Sequence, residues 1–349
     1  MTTWYEENKR DLPWRQTTDP YKIWLSEIIL QQTRVDQGMA YYLKFVRLFP
    51  NVRDLATATE DEVLKAWQGL GYYSRARNLH ATAKHVHNDL GGKFPTNAND
   101  LVALKGVGPY TAAAIASFCY NEKVPVIDGN VMRVLSRIFG VDMPVDSKEG
   151  KKAIEKRAEE VISKSQPGIH NQAIMEFGAL HCSPKNPGCE NCPFSRVCIA
   201  YSENRVYDFP VKAKKTVVKD IWYYYFVIHQ GDNVYLKRRD GMGIWRGLYD
   251  FPHIESEQPL QEKIVIKDFM SSHHLKNEIV VESVSSEFLH VLSHRKIRAV
   301  FIDIRLNSSG ALPLEKYLRI NTRSVVNYGI PRLVEKYLES NIAWKRIMA

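Results

Sequence analysis

Glu27 is the one acid in the apolar segment WLSEIILQQT, residues 24–33. On a helix, Ile23, Trp24, Gln31 and Leu30 share its side, so we expect a mainly apolar environment around this carboxyl. Burial disfavours the charged form, which predicts a raised pKa and a proton retained near neutral pH. The alternative is a core glutamate paired with an arginine, since buried unpaired glutamates are rare and costly.

A second acid, Asp128, stands just ahead of a predicted helix in VIDGNVMRVLSR, residues 126–137. An aspartate at this place is typical of an N-cap, whose carboxylate accepts hydrogen bonds from helix amides. Such bonds keep the group ionised, which suits a carboxylate that faces positive charge in a transition state. Two acids whose pKa values are pushed in opposite directions indicate an acid/base pair acting on a glycosidic bond.

Four of the five cysteines fall in one short window with the spacing C-x6-C-x2-C-x5-C. They are Cys182, Cys189, Cys192 and Cys198. Because the sequence carries no secretion signal, metal ligation is favoured over a disulfide framework. Four thiolates suit either zinc or a [4Fe-4S] cluster, and composition alone does not choose between them. Zinc sites usually pair two C-x2-C elements, whereas this window holds one, which favours the cluster.

The segment LKGVGPYTAAAIASF, residues 104–118, predicts a tight turn followed by a helix. Gly106 and Gly108 let the backbone turn sharply and leave amides at the helix start, where a phosphate oxygen can bind. Such a turn grips DNA without reading its sequence. The alternative is an ordinary corner between two helices.

Helical and strand signals divide the chain in two. Asp19 and Pro20 begin a predicted helix that continues to Gly38. Further helices are predicted near 40–48, 60–68, 74–90, 99–104, 109–120, 130–139, 148–164 and 170–181. The segments 221–228, 233–239 and 296–306 are aromatic and β-branched, as in strands, and 257–270 and 331–340 are typical of helices. We therefore expect a multidomain protein with an all-α domain over 1–204, a basic linker over 205–220 and an α+β domain over 221–349.

The formal net charge of the 349-residue chain is +9, which agrees with a polyanionic partner without identifying one. The chain has no signal-peptide pattern at its start and no run of 18 apolar residues. We expect a cytoplasmic, nucleoid-associated monomer with no membrane contact.

The segments above, together with GLGYYSRARNL and NQAIMEFGALHC, resemble in this order the adenine-specific DNA glycosylases of the MutY type. These belong to the helix-hairpin-helix glycosylases, and the similarity covers roughly residues 4–200. It implies a DNA repair enzyme that flips adenine out of double-stranded DNA when this base lies opposite 8-oxoguanine or guanine, and then removes it. It also implies a [4Fe-4S] cluster with a structural role.

The resemblance assigns roles to single residues. Glu27 would protonate N7 of adenine and then activate water, Asp128 would stabilise the cationic sugar carbon, and Tyr110 and Asn130 would orient these groups. Gln32 and Tyr72 would be the wedge beside the lesion. Contacts to DNA are expected from Arg15, Gln31, Gln32, Thr33, Tyr72, Gly106, Gly108, Gln172, Ser293 and His294.

One position separates this chain from the endonuclease III relatives, which carry a lysine two places after the second hairpin glycine. Here that position is Tyr110, which cannot form a Schiff base, so we expect a monofunctional glycosylase. Two other functions stay open: an endonuclease III-like glycosylase for oxidised pyrimidines, and a non-catalytic protein that binds damaged DNA.

The C-terminal half is similar to a Nudix domain at GIWRGLYDFP, residues 243–252, but lacks the run of glutamates that binds metal in Nudix hydrolases. In MutY proteins such a domain recognises 8-oxoguanine through a Phe-Ser-His element. Leu292, Ser293 and His294 would take those places, with leucine as a departure from the pattern. The alternative for this loop is a plain turn before a strand.

Overall fold

The computed structural model describes residues 1–213, 218–241, 243–275, 279–292, 294–306, 316–341 and 344–345. The chain forms two compact units. The first joins Met1–Thr57 to Asn78–Lys215, and the second joins Ala58–Arg77 to Thr216–Ala349. Among the described residues, no helix has the length and apolar character needed to span a membrane.

The chain up to residue 202 is helical. Its α-helices are α1 (Thr2–Asn8), α2 (Pro20–Leu30), α3 (Val35–Leu48), α4 (Val52–Thr57), α5 (Glu60–Trp67), α6 (Ser74–Asn88), α7 (Ala98–Leu101), α8 (Pro109–Tyr120), α9 (Gly129–Phe139), α10 (Lys148–Val161), α11 (Pro167–Leu180) and α12 (Ile199–Ser202). A short 3-10 helix spans Pro13–Arg15. In α8 every residue from Thr111 to Ser117 is buried, and its alanines let α2 and α11 pack closely on it.

The predicted single helix from residue 20 to 38 is wrong. Between α2 and α3, Gln32 adopts a left-handed conformation with φ of +55°, which ends an α-helix as a C-terminal glycine does. Gly38 lies inside α3 instead of ending a helix. A Cβ at this position would lie 2.6 Å from Cδ2 of Leu30, so the glycine lets α3 approach the end of α2.

The other helix predictions up to residue 181 are confirmed. The predicted helix over 109–120 matches α8 at both ends, because Pro109 marks its first turn and Asn121 ends it in a left-handed conformation. The remaining predicted ends lie within three residues of the observed ones, except that α3 begins at Val35.

The second unit contains a mixed sheet covered by helices. Its strands are β1 (Lys219–Gln230), β2 (Asn233–Arg238), β3 (Tyr249–Asp250), β4 (His253–Ser256), β5 (Ile279–Val284), β6 (Phe288–Val291), β7 (Arg295–Leu306) and β8 (Leu318–Asn321), and its C-terminal helices are α13 (Glu262–Ser272) and α14 (Arg332–Ser340). The central order is β3-β2-β1-β7-β5, with β4 on β1, β6 on β7 and β8 on β2. β1 and β7 pair in parallel.

Both faces of β1 are buried. Phe226 stacks on Phe269 of α13 with 3.7 Å between ring centroids. Tyr225 stacks on Phe301 of β7, which in turn stacks on Tyr337 of α14 at 4.0 Å. Coverage on both faces explains the continuous apolar run of this strand. The predictions of β1, β2, β7, α13 and α14 are confirmed, whereas β3 to β6 and β8 were not predicted.

Residues 205–213 of the predicted basic linker pack within the first unit, whereas Lys219 and Asp220 belong to β1 of the second unit. Val206 and Phe209 are buried in a small cluster with Ala200. The amide of Val145 donates a hydrogen bond to the carbonyl oxygen of Val211 at 2.9 Å. Residues 214–217 lie outside the described residues.

Candidate active site

Glu27 lies in the last turn of α2 and is 7% exposed. Its Oε2 accepts a hydrogen bond of 2.8 Å from the hydroxyl of Tyr110 on α8. The pKa of Glu27 is raised from its ordinary value of 4.5 to about 7, mainly because burial disfavours the charged form. The Tyr110 hydrogen bond lowers this pKa and the charge of Asp128 raises it, and both effects are smaller than that of burial. The direction agrees with the prediction, and such a pKa lets the carboxyl hold or release a proton near neutral pH.

Asp128 is the N-cap of α9. Its carboxylate accepts hydrogen bonds of 2.8 Å from the amide of Val131 and from Nδ2 of Asn130. Burial nevertheless raises the pKa of Asp128, and these hydrogen bonds only offset part of the effect. The prediction that the two acids shift in opposite directions is wrong, because the sequence identified the cap but not the depth at which it is buried.

Both acids line one pocket of about 720 Å³, a volume in the range of small-molecule sites. The pocket also contains several side chains that the sequence analysis singled out: Tyr110, Asn130, Arg15, Thr33 and Gln172. Residues from five separate parts of the first unit therefore converge on a single concave surface.

A buried ion-pair cluster forms another part of the pocket wall. Arg10 and Arg15 each donate hydrogen bonds to both carboxylate oxygens of Glu176 on α11, at 2.6–2.8 Å. Burial alone would raise the pKa of Glu176, but these hydrogen bonds outweigh it and lower the pKa to about 2. No local pattern in the sequence indicates this cluster, because its partners are 161 and 166 residues apart.

The glutamines predicted to contact DNA occupy different places. Gln31 donates from Nε2 to Oγ1 of Thr111 at 3.3 Å, whereas Gln32 is exposed in the left-handed turn that follows α2. Gln172 accepts a hydrogen bond of 2.7 Å from the hydroxyl of Tyr5. Gln31 is half-buried and Gln172 lines the pocket. Of these three side chains, only Gln32 is exposed at the surface.

The two predicted glycines form an exposed turn between α7 and α8. Gly106 has φ of +78°, and a Cβ there would lie 2.6 Å from Cβ of Asn78. Gly108 is the N-cap of α8, where no side chain caps the helix and no atom lies within 4 Å of an added Cβ. The first amides of α8 thus begin at an open backbone position, as an anion site at a helix start requires.

Comparison with known proteins identifies the family. A model of HhH-GPD superfamily base excision DNA repair proteins matches residues 25–164, and a NUDIX domain model matches residues 223–340. The adenine DNA glycosylase of Buchnera aphidicola subsp. Schizaphis graminum is 32% identical to this chain and covers 97% of it, over 96% of its own length. The chain belongs to the adenine DNA glycosylase family.

Other relatives agree with this assignment. The Homo sapiens adenine DNA glycosylase is 31% identical over 85% of this chain and 64% of the human protein. Among solved structures, a thermostable thymine-DNA glycosylase is 32% identical, with a TM-score of 0.54 over 58% of this chain and 93% of its own. A non-covalent endonuclease III–DNA complex, 20% identical with a TM-score of 0.51 over 58% of this chain and 92% of that one, shares the fold. The predicted family and the predicted helix-hairpin-helix and Nudix-like folds are confirmed.

The four cysteines of this adenine DNA glycosylase family member line one common cavity. No group of three or more His, Cys, Asp or Glu side chains within the described ranges is placed to hold a metal ion. Four thiols in the wall of one cavity are the kind of donor set that either a zinc ion or a [4Fe-4S] cluster uses.

A buried arginine joins this cysteine loop to the pocket acids. Arg133 donates from one guanidinium nitrogen to Oδ1 of Asn130 at 2.9 Å and to the carbonyl oxygen of Gly178 at 2.6 Å. Its Nε donates to the carbonyl oxygen of Cys182 at 2.8 Å. Asn130 in turn bonds Asp128, so the first cysteine and the N-cap of α9 belong to one hydrogen-bonded chain.

In the second unit, Tyr72 and the predicted lesion loop line the same cavity of about 410 Å³. Tyr72 is 46% exposed with φ of +48°, whereas the adjacent Tyr73 is 4% exposed, which separates their roles. Leu292 and His294 line the cavity from the turn between β6 and β7, closed by a hydrogen bond of 2.8 Å from the Leu292 amide to the Arg295 carbonyl oxygen. The predicted contact residue Ser293 lies outside the described residues.

Proposed function

We propose that this protein removes adenine that lies opposite 8-oxoguanine or guanine in double-stranded DNA. Family membership supports adenine as the base that is released. The observation that carries the chemistry is the buried Glu27, whose pKa of about 7 lets it donate a proton near neutral pH. Because this group shares a pocket with Asp128, acid and carboxylate can act on one nucleoside.

The first step assigned to Glu27 is protonation of the adenine ring at N7. Adenine then leaves as a neutral base while positive charge develops on the sugar, and the ionised Glu27 accepts a proton from the attacking water. Asp128 stabilises the cationic sugar carbon, with Asn130 and the Val131 amide fixing the direction of its carboxylate. Tyr110 orients Glu27 through its hydroxyl.

The adenine has to leave the duplex to reach this pocket, because the buried acids cannot approach its glycosidic bond while the base is stacked in the helix. We assign Gln32 and Tyr72 to the gap that the base leaves. This assignment is supported by the conformation of both residues, which are exposed and left-handed. The amides at Gly106 and Gly108 are assigned to a backbone phosphate, which agrees with the open start of α8.

Recognition of 8-oxoguanine is assigned to the second unit. Its support is the common cavity that brings Tyr72 to Leu292 and His294, although these residues are more than 200 positions apart in the sequence. Base-sized aromatic and apolar walls suit a purine face, while polar atoms of the loop distinguish its edge.

Cys182, Cys189, Cys192 and Cys198 are assigned to a [4Fe-4S] cluster. When bound, it would cross-link the loop that follows α11 and add no step to the glycosidic chemistry. Arg137, which donates to the carbonyl oxygens of Cys182, Ser183 and Pro184, holds the same loop from α9. A yellow-brown, iron-containing protein is the expected preparation, and a fully active colourless zinc protein would contradict this assignment.

The deciding experiment is single-turnover excision on duplexes with adenine opposite 8-oxoguanine, guanine or thymine. We expect the fastest release opposite 8-oxoguanine, and loss of release in Glu27→Gln. Glu159→Gln, at an exposed position of α10, is the matched control that keeps full activity.

Borohydride trapping tests Tyr110, since efficient covalent capture of the protein on damaged DNA would favour the endonuclease III-like alternative. Unchanged excision by Glu27→Gln would exclude the proposed acid.

A further inference from the structure

One ring nitrogen of His181 is buried without a partner. Nε2 of this residue makes no hydrogen bond to any group in the described part of the chain. An unsatisfied buried polar atom costs about 1–3 kcal/mol, so such an atom indicates a bound group or water. The imidazole is held by aromatic neighbours, with ring centroids 4.9 Å from Phe177 and 5.9 Å from Trp4.

The same imidazole lies in the wall of the cavity that the four cysteines line. A Cβ added to Gly188 would lie 3.5 Å from Nε2, so the absence of a side chain at this glycine, next to Cys189, keeps space beside the nitrogen. The backbone also ties these residues together, because the Gly188 amide donates to the His181 carbonyl oxygen at 3.2 Å.

Hydrogen-bond donors already reach two of the cysteine sulfurs. The guanidinium of Arg137 lies 3.4 Å from Sγ of Cys182, and the amide of Phe194 lies 3.4 Å from Sγ of Cys192. The surroundings of the cavity therefore supply donors toward sulfur, and His181, which lies in the same cavity wall, offers one more. A neutral imidazole with its proton on Nε2 has the required form.

We propose that His181 donates a hydrogen bond from Nε2 to a sulfur atom of the bound cluster and thereby raises its reduction potential. The inference rests on the proposed [4Fe-4S] assignment and not on the proposed substrate. Hydrogen bonds to the sulfurs stabilise the more negative, reduced form of the cluster, so loss of a donor lowers the potential. His181 thus acts on the cluster directly and has no part in base release.

The test is the midpoint potential of the full-length, iron-loaded protein on DNA-modified electrodes. His181→Phe keeps the ring stacking and removes the donor, and we expect it to disfavour the reduced form by about tenfold, which is about 59 mV for a one-electron couple. His181→Gln, which places an amide donor near the position of Nε2, should recover most of the parent potential. His85→Gln, at an exposed position of α6, is the control and should leave the potential unchanged. Equal potentials for the parent and His181→Phe would overturn the proposal.

A second measurement needs no variant and covers the case in which His181→Phe fails to hold iron. Pulsed EPR of the oxidised cluster in parent protein labelled with 15N-histidine should detect a histidine nitrogen coupled to the cluster, and absence of this coupling would also overturn the proposal. Iron analysis separates the possible failures. An iron-free parent protein rejects the cluster together with the His181 hydrogen bond, whereas adenine release is measured independently of both.

Discussion

Replacement of Glu27 by glutamine should make the protein more stable while it removes activity. In the folded state the pKa of Glu27 is raised from 4.5 to about 7 by burial. The folded state therefore binds this proton more tightly than the unfolded chain, so the stabilising contribution is full below pH 4.5 and is lost as the pH rises toward 7. Above pH 7 the carboxyl of Glu27 is charged in both the folded and the unfolded state. Its burial in the folded state then lowers the free energy of unfolding, because the charge loses its hydration.

The magnitude follows from the same pKa values. A difference of about 2.5 pH units at 1.36 kcal/mol each gives about 3 kcal/mol of destabilisation by Glu27 at pH 8.5. At pH 5 the same relation gives less than ~1 kcal/mol. Glutamine is never charged and its side-chain oxygen still accepts the Tyr110 hydrogen bond, so Glu27→Gln should be more stable by about 3 kcal/mol at pH 8.5 and by less than ~1 kcal/mol at pH 5.

Scanning calorimetry at the two pH values measures this difference. For a unit of this size, about 3 kcal/mol corresponds to a rise of roughly 6–12 °C in Tm at pH 8.5. The exposed Glu159→Gln should shift Tm by less than ~2 °C at either pH, since surface substitutions rarely exceed ~0.5 kcal/mol. An equal rise in Tm for Glu27→Gln at pH 5 and at pH 8.5 would contradict this prediction, because the stabilisation would then not depend on the ionisation of Glu27.

Three further predictions concern the pocket and the hairpin. Tyr110→Phe removes the hydrogen bond that lowers the pKa of Glu27, so the alkaline limb of the single-turnover excision profile should move up by roughly one pH unit, and an unmoved limb would contradict the Tyr110–Glu27 bond. Glu176→Gln leaves two pocket arginines without their carboxylate partner and should destabilise the fold by about 3 kcal/mol in urea titrations, an outcome that unchanged midpoints would exclude. Gly106→Ala should lower stability by about 1–3 kcal/mol through its left-handed φ and its close neighbour on α6, whereas Gly108→Ala should leave Tm unchanged and weaken DNA binding measured by fluorescence anisotropy.

The predictable parts of the fold are those with local chemical signals. α8 is bounded by Pro109 and by a left-handed Asn121, and the sequence predicts both of its ends. The break after α2 was missed because Gln32 adopts a left-handed conformation without a glycine or proline to indicate it. β5 was missed because its residues are almost all exposed at the sheet edge and lack an apolar alternation.

The same distinction holds for the site. An apolar neighbourhood within one helix was enough to predict the raised pKa of Glu27. The pKa of Asp128 depends on how deeply several distant segments bury it, and a cap motif does not contain that information. The pairing of Arg10 and Arg15 with Glu176 depends on the chain returning after more than 160 residues, so no local pattern indicates it.

The position of each acid on its helix supports the proposed division of roles. Glu27 lies in the last turn of α2, where the unpaired carbonyl groups carry partial negative charge, and one hydroxyl donor opposes its burial. Asp128 lies at the start of α9, where amides carry partial positive charge, and it accepts bonds from a backbone amide and from the Asn130 side chain. A helix end contributes typically ~0.3–1 kcal/mol, less than the ~1.5–3 kcal/mol of a hydrogen bond to a charged group, so the number of donors weighs more than the dipole. Burial raises both pKa values, but the additional donors favour the charged form at Asp128, and we therefore infer that Asp128 meets the cationic sugar while Glu27 delivers the proton.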